Sequence, residues 1–215
     1  MIMFKKILSL LLFLLLLFPQ IIFAETISLG MKYMPSPAAG AAANSNISIG
    51  LTKISDKRDR EEKNFVGKRI SYTGSKDFFA PAGVSVEDAV TEMIGEYFKK
   101  KGFNWKKTER WNLDIQNLNA EWGDIIVGGE IVELWSEVVS KFMANEHKVK
   151  ARLKIVIADP KEKMILWTDT ATTSLEMKEP LFHEESVEKM INEAASSCIE
   201  NIFEDRAFKE IIGIK

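Results

Sequence analysis

The chain has 215 residues, 46% of them hydrophobic and 28% charged, and its 29 basic and 31 acidic side chains give a net charge of −2. That length suits one domain of ordinary size with a single core, and a chain without a basic surplus is a poor match for a nucleic-acid partner, which is held through phosphate contacts. The single cysteine, Cys198, excludes an intramolecular disulfide.

The N-terminus has the plan of a Sec export signal. Lys5 and Lys6 precede an apolar run from Ile7 to Phe18, Pro19 breaks the run, and the small residue Ala24 follows. Residues 1–24 are therefore predicted to be a signal peptide, which makes the protein exported, either periplasmic or membrane-associated on the periplasmic side. An uncleaved anchor is the alternative, because Ile7–Phe23 approaches the ~17–25 residues that cross a bilayer and Ile22, not a small residue, stands three positions before the cut. No cysteine stands at the cut to carry a lipid. Residues 25–46 are predicted to be a flexible linker, since Met34–Asn46 combines Pro35, Pro37, Gly40 and the run Ala41–Ala43 and offers little to bury. The sequon Asn46-Ile47-Ser48 is discounted beside so short and apolar a leader, which has a bacterial look.

The body, 47–215, reads as one domain. A strand is expected near Ile47–Ile54, where Ile47, Ile49 and Leu51 alternate with Ser48, Gly50 and Thr52. The mixed-charge run 56–63 reads as a solvated loop; a cation site built from Asp56, Asp59, Glu61 and Glu62 is opposed by the interleaved lysines and arginines. Ser85 opens a helix as its cap, with Val86, Ala89, Val90, Met93, Ile94, Tyr97 and Phe98 on one face and Gly102 as its stop. The segment Phe103–Trp122 predicts a strand and then a connection whose Trp rings cover the core edge. Trp105, Trp111 and Trp122 are also the candidate partner-binding residues, since exposed Trp is a favoured interface anchor.

From Ile125 to Trp135 the composition predicts an inner strand, with a bulge or a close backbone approach at Gly128 and Gly129. In the next strand Val149, Ala151, Leu153, Ile155 and Ile157 face one way while Lys148, Lys150, Arg152 and Lys154 face the other. Asp159–Lys163 turns the chain, and Met164–Met177 returns antiparallel with Thr168, Thr170, Thr172 and Ser174 in a row. A second helix from about His183 carries the stripe Val187, Met190, Ile191, Ala194, Ala195, Cys198 and Ile202, so the Cys198 thiol is expected to be buried and unreactive.

No nucleophile elbow, zinc-protease, phosphate-loop or dinucleotide motif occurs, and the only histidines, His147 and His183, have no metal-ligand spacing. No catalytic, metal or cofactor residue is therefore assigned. The enzymatic alternative is a hydrolase or small-ligand enzyme using His183 with Glu184 or Glu185 as acid and base.

The order of elements predicts an α+β fold, a mixed or antiparallel sheet with two main helices packed on one face. The segment Ile54-Ser55-Asp56-Lys57-Arg58 after a strand, then Val66-Gly67, then the capped helix ending in Lys101-Gly102-Phe103, resembles the YajG-type family of bacterial envelope lipoproteins across residues 47–200. That resemblance implies a non-enzymatic envelope domain, although this chain lacks the lipidated cysteine and no family site residue carries over. The expected function is accessory binding or assembly with an envelope protein partner, by the sheet face or the Trp-rich connection, with membrane association through the N-terminus and self-association through sheet edges as further expectations.

Overall fold

The computed structural model describes residues 24–37 and 47–213. The predicted signal peptide lies outside the described residues save for Ala24, as does the stretch 38–46 of the predicted linker. No helix among the described residues is long and apolar enough to cross a membrane.

Nine strands form one sheet: β1 (Thr26–Leu29), β2 (Ser48–Leu51), β3 (Ser55–Asp56), β4 (Gly67–Ile70), β5 (Lys76–Pro81), β6 (Asn104–Lys107), β7 (Ile125–Ser140), β8 (Asn145–Asp159) and β9 (Met164–Glu179). The helices are α1 (Val86–Lys100), α2 (Glu184–Phe203) and the short α3 (Arg206–Ile211). Strand β7 is the spine. Antiparallel β8 runs along its whole length on one edge, while β2, β3 and β4 take successive stretches of the other edge, all parallel to it: Ile49 is opposite Ile125, Ser55 opposite Glu130 and Gly67 opposite Ser136. Antiparallel β9 extends the β8 side, β6 lies parallel outside β2, and β5 then β1 lie outside β4. The sheet is mixed and the fold α+β, as the element order predicts.

Both main helices bury their apolar stripes on one face of this sheet. Ser85 caps α1 by accepting from the Asp88 amide, and Gly102 at φ +74° ends it where other residues would be strained. Within α1, Gly95 makes room for Trp105 of β6, since a Cβ there would lie 2.4 Å from the indole. Phe98, Phe103, Phe203 and Phe208 meet edge-to-face at centroid distances of 4.9–6.1 Å. Burying each such ring contributes about 1.5–3 kcal/mol. Cys198 lies in this layer with its thiol 3.3 Å from the Ala151 carbonyl, and burial pushes its pKa up, so it is the inert core residue expected.

The other face is covered only at one end. There the connection after β6 folds back through two 3₁₀ turns, Ile115–Asn117 and Ala120–Trp122, and packs Trp111 and Leu118 on Ile126, Val156 and Ala158. This cover explains why Gly50 and Thr52, which alternate with Ile49 and Leu51, are buried as well. It also gives Gly128 its purpose: a Cβ there would stand 2.7 Å from the Trp111 ring, while one at Gly129 would meet the Lys154 carbonyl at 2.3 Å. Close approach, not a bulge, is the role of the glycine pair. The register shift falls further along, between Ile131 and Glu133.

Two expectations need correction. The flexible stretch expected to begin at residue 25 instead supplies β1 and a segment laid along α2. Side chains four residues apart on that helix receive its amides: Gly30 N donates to Glu188 Oε2 (2.8 Å), Lys32 N to Asn192 Oδ1 (3.1 Å), Met34 N to Ser196 Oγ (2.8 Å) and Ser36 N to Glu200 Oε1 (2.9 Å). Tyr33 fixes the segment by burying its ring and donating its hydroxyl to Glu200 Oε1 at 2.6 Å. The backbone is satisfied by helix side chains, an arrangement that composition does not reveal. The second correction concerns the run 56–63, which is not wholly solvated: Arg58 is 2% exposed. Its guanidinium makes a two-pronged contact with Asp56 (Nε to Oδ1 2.9 Å, Nη2 to Oδ2 2.7 Å) and donates to the carbonyls of Lys63, Phe65 and Leu134. Burial raises the Asp56 pKa, but the hydrogen bonds and charge of Arg58 outweigh it and hold the carboxyl below its ordinary value.

Candidate binding face

Strands alternate their side chains, so one slip in phase exchanges wet and buried sets. Along β7, Ile126, Gly128 and Glu130 point away from the helices while Ile125, Val127 and Ile131 join the core. Continued without interruption, that phase would bury Glu133, Trp135 and Glu137. The irregularity between Ile131 and Glu133 adds one residue, sends Leu134 and Val138 into the core, and keeps Glu133, Trp135 and Glu137 on the outer face.

Beyond the Trp111 cover, that outer face is open. Three strands place their residues in rows: Glu130 with Lys154 and Thr170, Glu133 with Arg152 and Thr172, Trp135 with Lys150 and Ser174, Glu137 with Lys148 and Glu176. Arg60 reaches over from the loop after β3, lays its guanidinium 4.1 Å from the centre of the Trp135 ring, and donates to Glu133 Oε1 at 2.9 Å. Trp135 is thereby pinned as the floor of a groove of about 370 Å³ walled by Arg60, Lys148, Lys150, Ser174 and Glu176.

Most charges on this face are matched: Lys154 with Glu130 (3.2 Å), Lys148 with Glu176 (3.3 Å), Lys68 with Glu137 (3.4 Å) and Arg60 with Glu133. Lys150 and Arg152 form no ion pair among the described residues. Two neighbouring cations of one strand face water between Trp135 on one side and Thr172 and Ser174 on the other. Such a surface can receive carboxylates, with hydroxyls to share their remaining lone pairs, over a floor that the buried Trp135 ring, 7% exposed beneath Arg60, holds rigid.

The residues singled out from sequence fall elsewhere. Trp111 is 1% exposed, with Nε1 donating to the Asp114 carbonyl, so it is not available to a partner. Trp105 is half-buried between Gly95 and Phe98, and Trp122 is half-buried against the Trp111 cluster. The structure thus uses all three as packing, in keeping with the Trp rings covering the core edge. His183, Glu184 and Glu185 all stand exposed at the start of α2, with His183 as its N-cap residue. Nothing there removes an acid–base pair from water. Among the described residues no cluster of three His, Cys, Asp or Glu is placed to hold a metal. The residues missed were Trp135, absorbed into a strand pattern, and Arg60, absorbed into a charge run; the alternation of Lys150 and Arg152 was the legible signal.

His147 is buried on the helix side of β8. Its ring stacks on Phe182 at 6.3 Å, and Nε2 lies 2.9 Å from Glu179 Oε1 without the alignment of a hydrogen bond. Burial lowers its pKa, and the Glu179 carboxylate offsets this only in part.

No protein-family profile matches the chain, and no curated protein matches it. Among solved structures, a Xanthomonas campestris protein assigned to the DUF330 family superposes with a TM-score of 0.53 at 10% identity, over 87% of this chain and 96% of that one. A protein described as a neuraminyllactose-binding hemagglutinin homolog from Helicobacter pylori gives 0.43 at 11% identity, over 84% and 96%. A PelC dodecamer from Paraburkholderia phytofirmans gives 0.41 at 7% identity, over 77% and 92%. What the Xanthomonas protein shares with this chain is the fold.

Proposed function

We propose that this chain is a non-enzymatic exported envelope protein, an accessory binding or assembly domain that docks a protein partner on the open face of β7, β8 and β9. The observation that supports this reading most directly is the pair Lys150 and Arg152, which have no ion-pair partner among the described residues and lie beside the groove floored by Trp135. A partner segment rich in Asp or Glu fits it, because desolvating two cations is offset only by charge-assisted hydrogen bonds to anions. The predicted export signal supports an encounter at the periplasmic side of a membrane. The exposure of His183, Glu184 and Glu185 favours binding over hydrolysis.

The test is crosslinking and capture from intact cells with the parent chain and with Lys150→Glu/Arg152→Glu. Both side chains are exposed, so the variant should stay folded, with a cost of roughly 0.2–1 kcal/mol from setting a carboxylate at position 152 opposite Glu133, while losing the captured partner. Capture of the same partners at the same yield by the folded variant would end the proposal. Sedimentation velocity on both proteins shows whether that partner is a second copy of the chain.

A further inference from the structure

The four most exposed large hydrophobic residues among those described are Phe142 (83%), Met143 (79%), Tyr72 (71%) and Leu181 (67%). They lie together at one end of the sheet. Tyr72 tops the turn between β4 and β5, and Phe142 and Met143 top the turn between β7 and β8. Because β4 runs parallel to β7 with Ile70 opposite Val139, both turns project from the same end, with their rings 6.3 Å apart. Leu181 follows β9, whose Glu179 is opposite Asn145 at the base of the Phe142 turn.

Register also fixes where the chain enters the domain. Strand β1 is parallel to β5 with Thr26 opposite Phe78, and Phe78 N donates to the Glu25 carbonyl at 2.8 Å. Ala24 and Glu25 therefore stand beside the start of β5, next to the Tyr72 turn. The apolar run Ile7–Phe23 joins the domain directly at this end, with only Ala24 and Glu25 before the sheet begins.

The geometry points to a bilayer-facing end: with Ile7–Phe23 retained as the uncleaved anchor, the alternative to a cleaved leader, the domain sits end-on and rests Phe142, Met143, Tyr72 and Leu181 in the lipid interface. Protruding turns offer a protein partner little concave surface, but they suit shallow insertion among headgroups, where aromatic side chains are favoured. Lys141 and Lys178 near the tips both pair with Glu146 (2.6 and 3.1 Å), and Lys76 starts β5 beside the Tyr72 turn. Glu25 and Glu179 at the same end leave no surplus of cations, so contact depends on the apolar side chains and needs no anionic lipid. The inference rests on the tips and the entry point of the chain, not on the partner reading of the sheet face.

The experiment uses the full chain reconstituted in phosphatidylcholine vesicles containing a lipid with a nitroxide near the headgroup. An environment-sensitive fluorophore is attached at Phe142→Cys, at Tyr72→Cys, or at Met164→Cys, the first residue of β9 at the opposite end of the sheet; the buried native thiol of Cys198 stays unlabelled in the folded protein. The 15 residues of β8 put the two ends about 50 Å apart, far beyond the reach of the quencher. The expected result is blue-shifted, strongly quenched emission at 142 and 72 and neither effect at 164. Equal quenching at 142 and 164 would overturn the proposal. So would a blue shift at 142 without quenching, which would mean that a second protein copy covers the tips.

Discussion

Removing the carboxylate of Asp56 tests whether the Arg58 cluster holds this fold together. Arg58 is enclosed beneath the loop after β3, and its five contacts join Asp56 to the carbonyls of Lys63, Phe65 and Leu134, tying the loop to the β7 spine. In Asp56→Ala the guanidinium loses two of these contacts and its only ion-pair partner among the described residues, and stranding a buried charge costs about 3–5 kcal/mol. For a domain of this size that corresponds to a fall in Tm of about 6–20 °C. Urea unfolding followed by tryptophan fluorescence measures the loss. Arg58→Leu should also be severe, because it strands the carboxylate and three carbonyls, but the double variant should cost about 2–3 kcal/mol less than the two singles added. The sign with pH follows. The folded pKa of Asp56 is depressed, so its contribution is present above the ordinary carboxylate range and is lost as pH falls through the folded value. A loss below about 1 kcal/mol for Asp56→Ala, or strict additivity in the double variant, would refute the argument.

Gly95→Ala should destabilise the protein although alanine is the better helix former. The gain of about 0.5–1 kcal/mol from propensity is outweighed by about 1–3 kcal/mol of overpacking against Trp105. In a Trp105→Leu background the same change should become stabilising, and denaturant midpoints of the four proteins decide it. For His147, burial makes the folded state bind a proton less readily than the unfolded chain. Stability should therefore fall as pH drops below the ordinary histidine value of 6.5, by up to about 1.4 kcal/mol per pH unit until the folded pKa is reached. His147→Gln should flatten that limb, and an unchanged slope between pH 7 and 5 would count against a buried neutral imidazole.

The sequence by itself determined the elements whose signals are local. Ser85 and Gly102 bound α1 by capping and by positive φ, the period-two pattern of Val149–Ile157 marked β8 and its basic outer face, and the stripe Val187–Ile202 placed Cys198 in the core. The run 56–63 was legible as a mixed-charge segment, but the burial of Arg58 was not, since that depends on carbonyls of residues 63, 65 and 134 brought together by folding. Tertiary structure alone decided the rest. An irregularity between Ile131 and Glu133 set which face Trp135 occupies, side chains spaced four apart on α2 turned an apparent tether into an ordered strap, and the registers of β1 with β5 and β4 with β7 gathered Tyr72, Phe142 and Met143 beside the entry of the chain. The physical reason is one of range. Propensity and periodicity act over a few neighbouring residues and repeat in the sequence, whereas register and burial arise from pairings between distant segments, where a shift of one residue reverses every side chain without altering the local pattern.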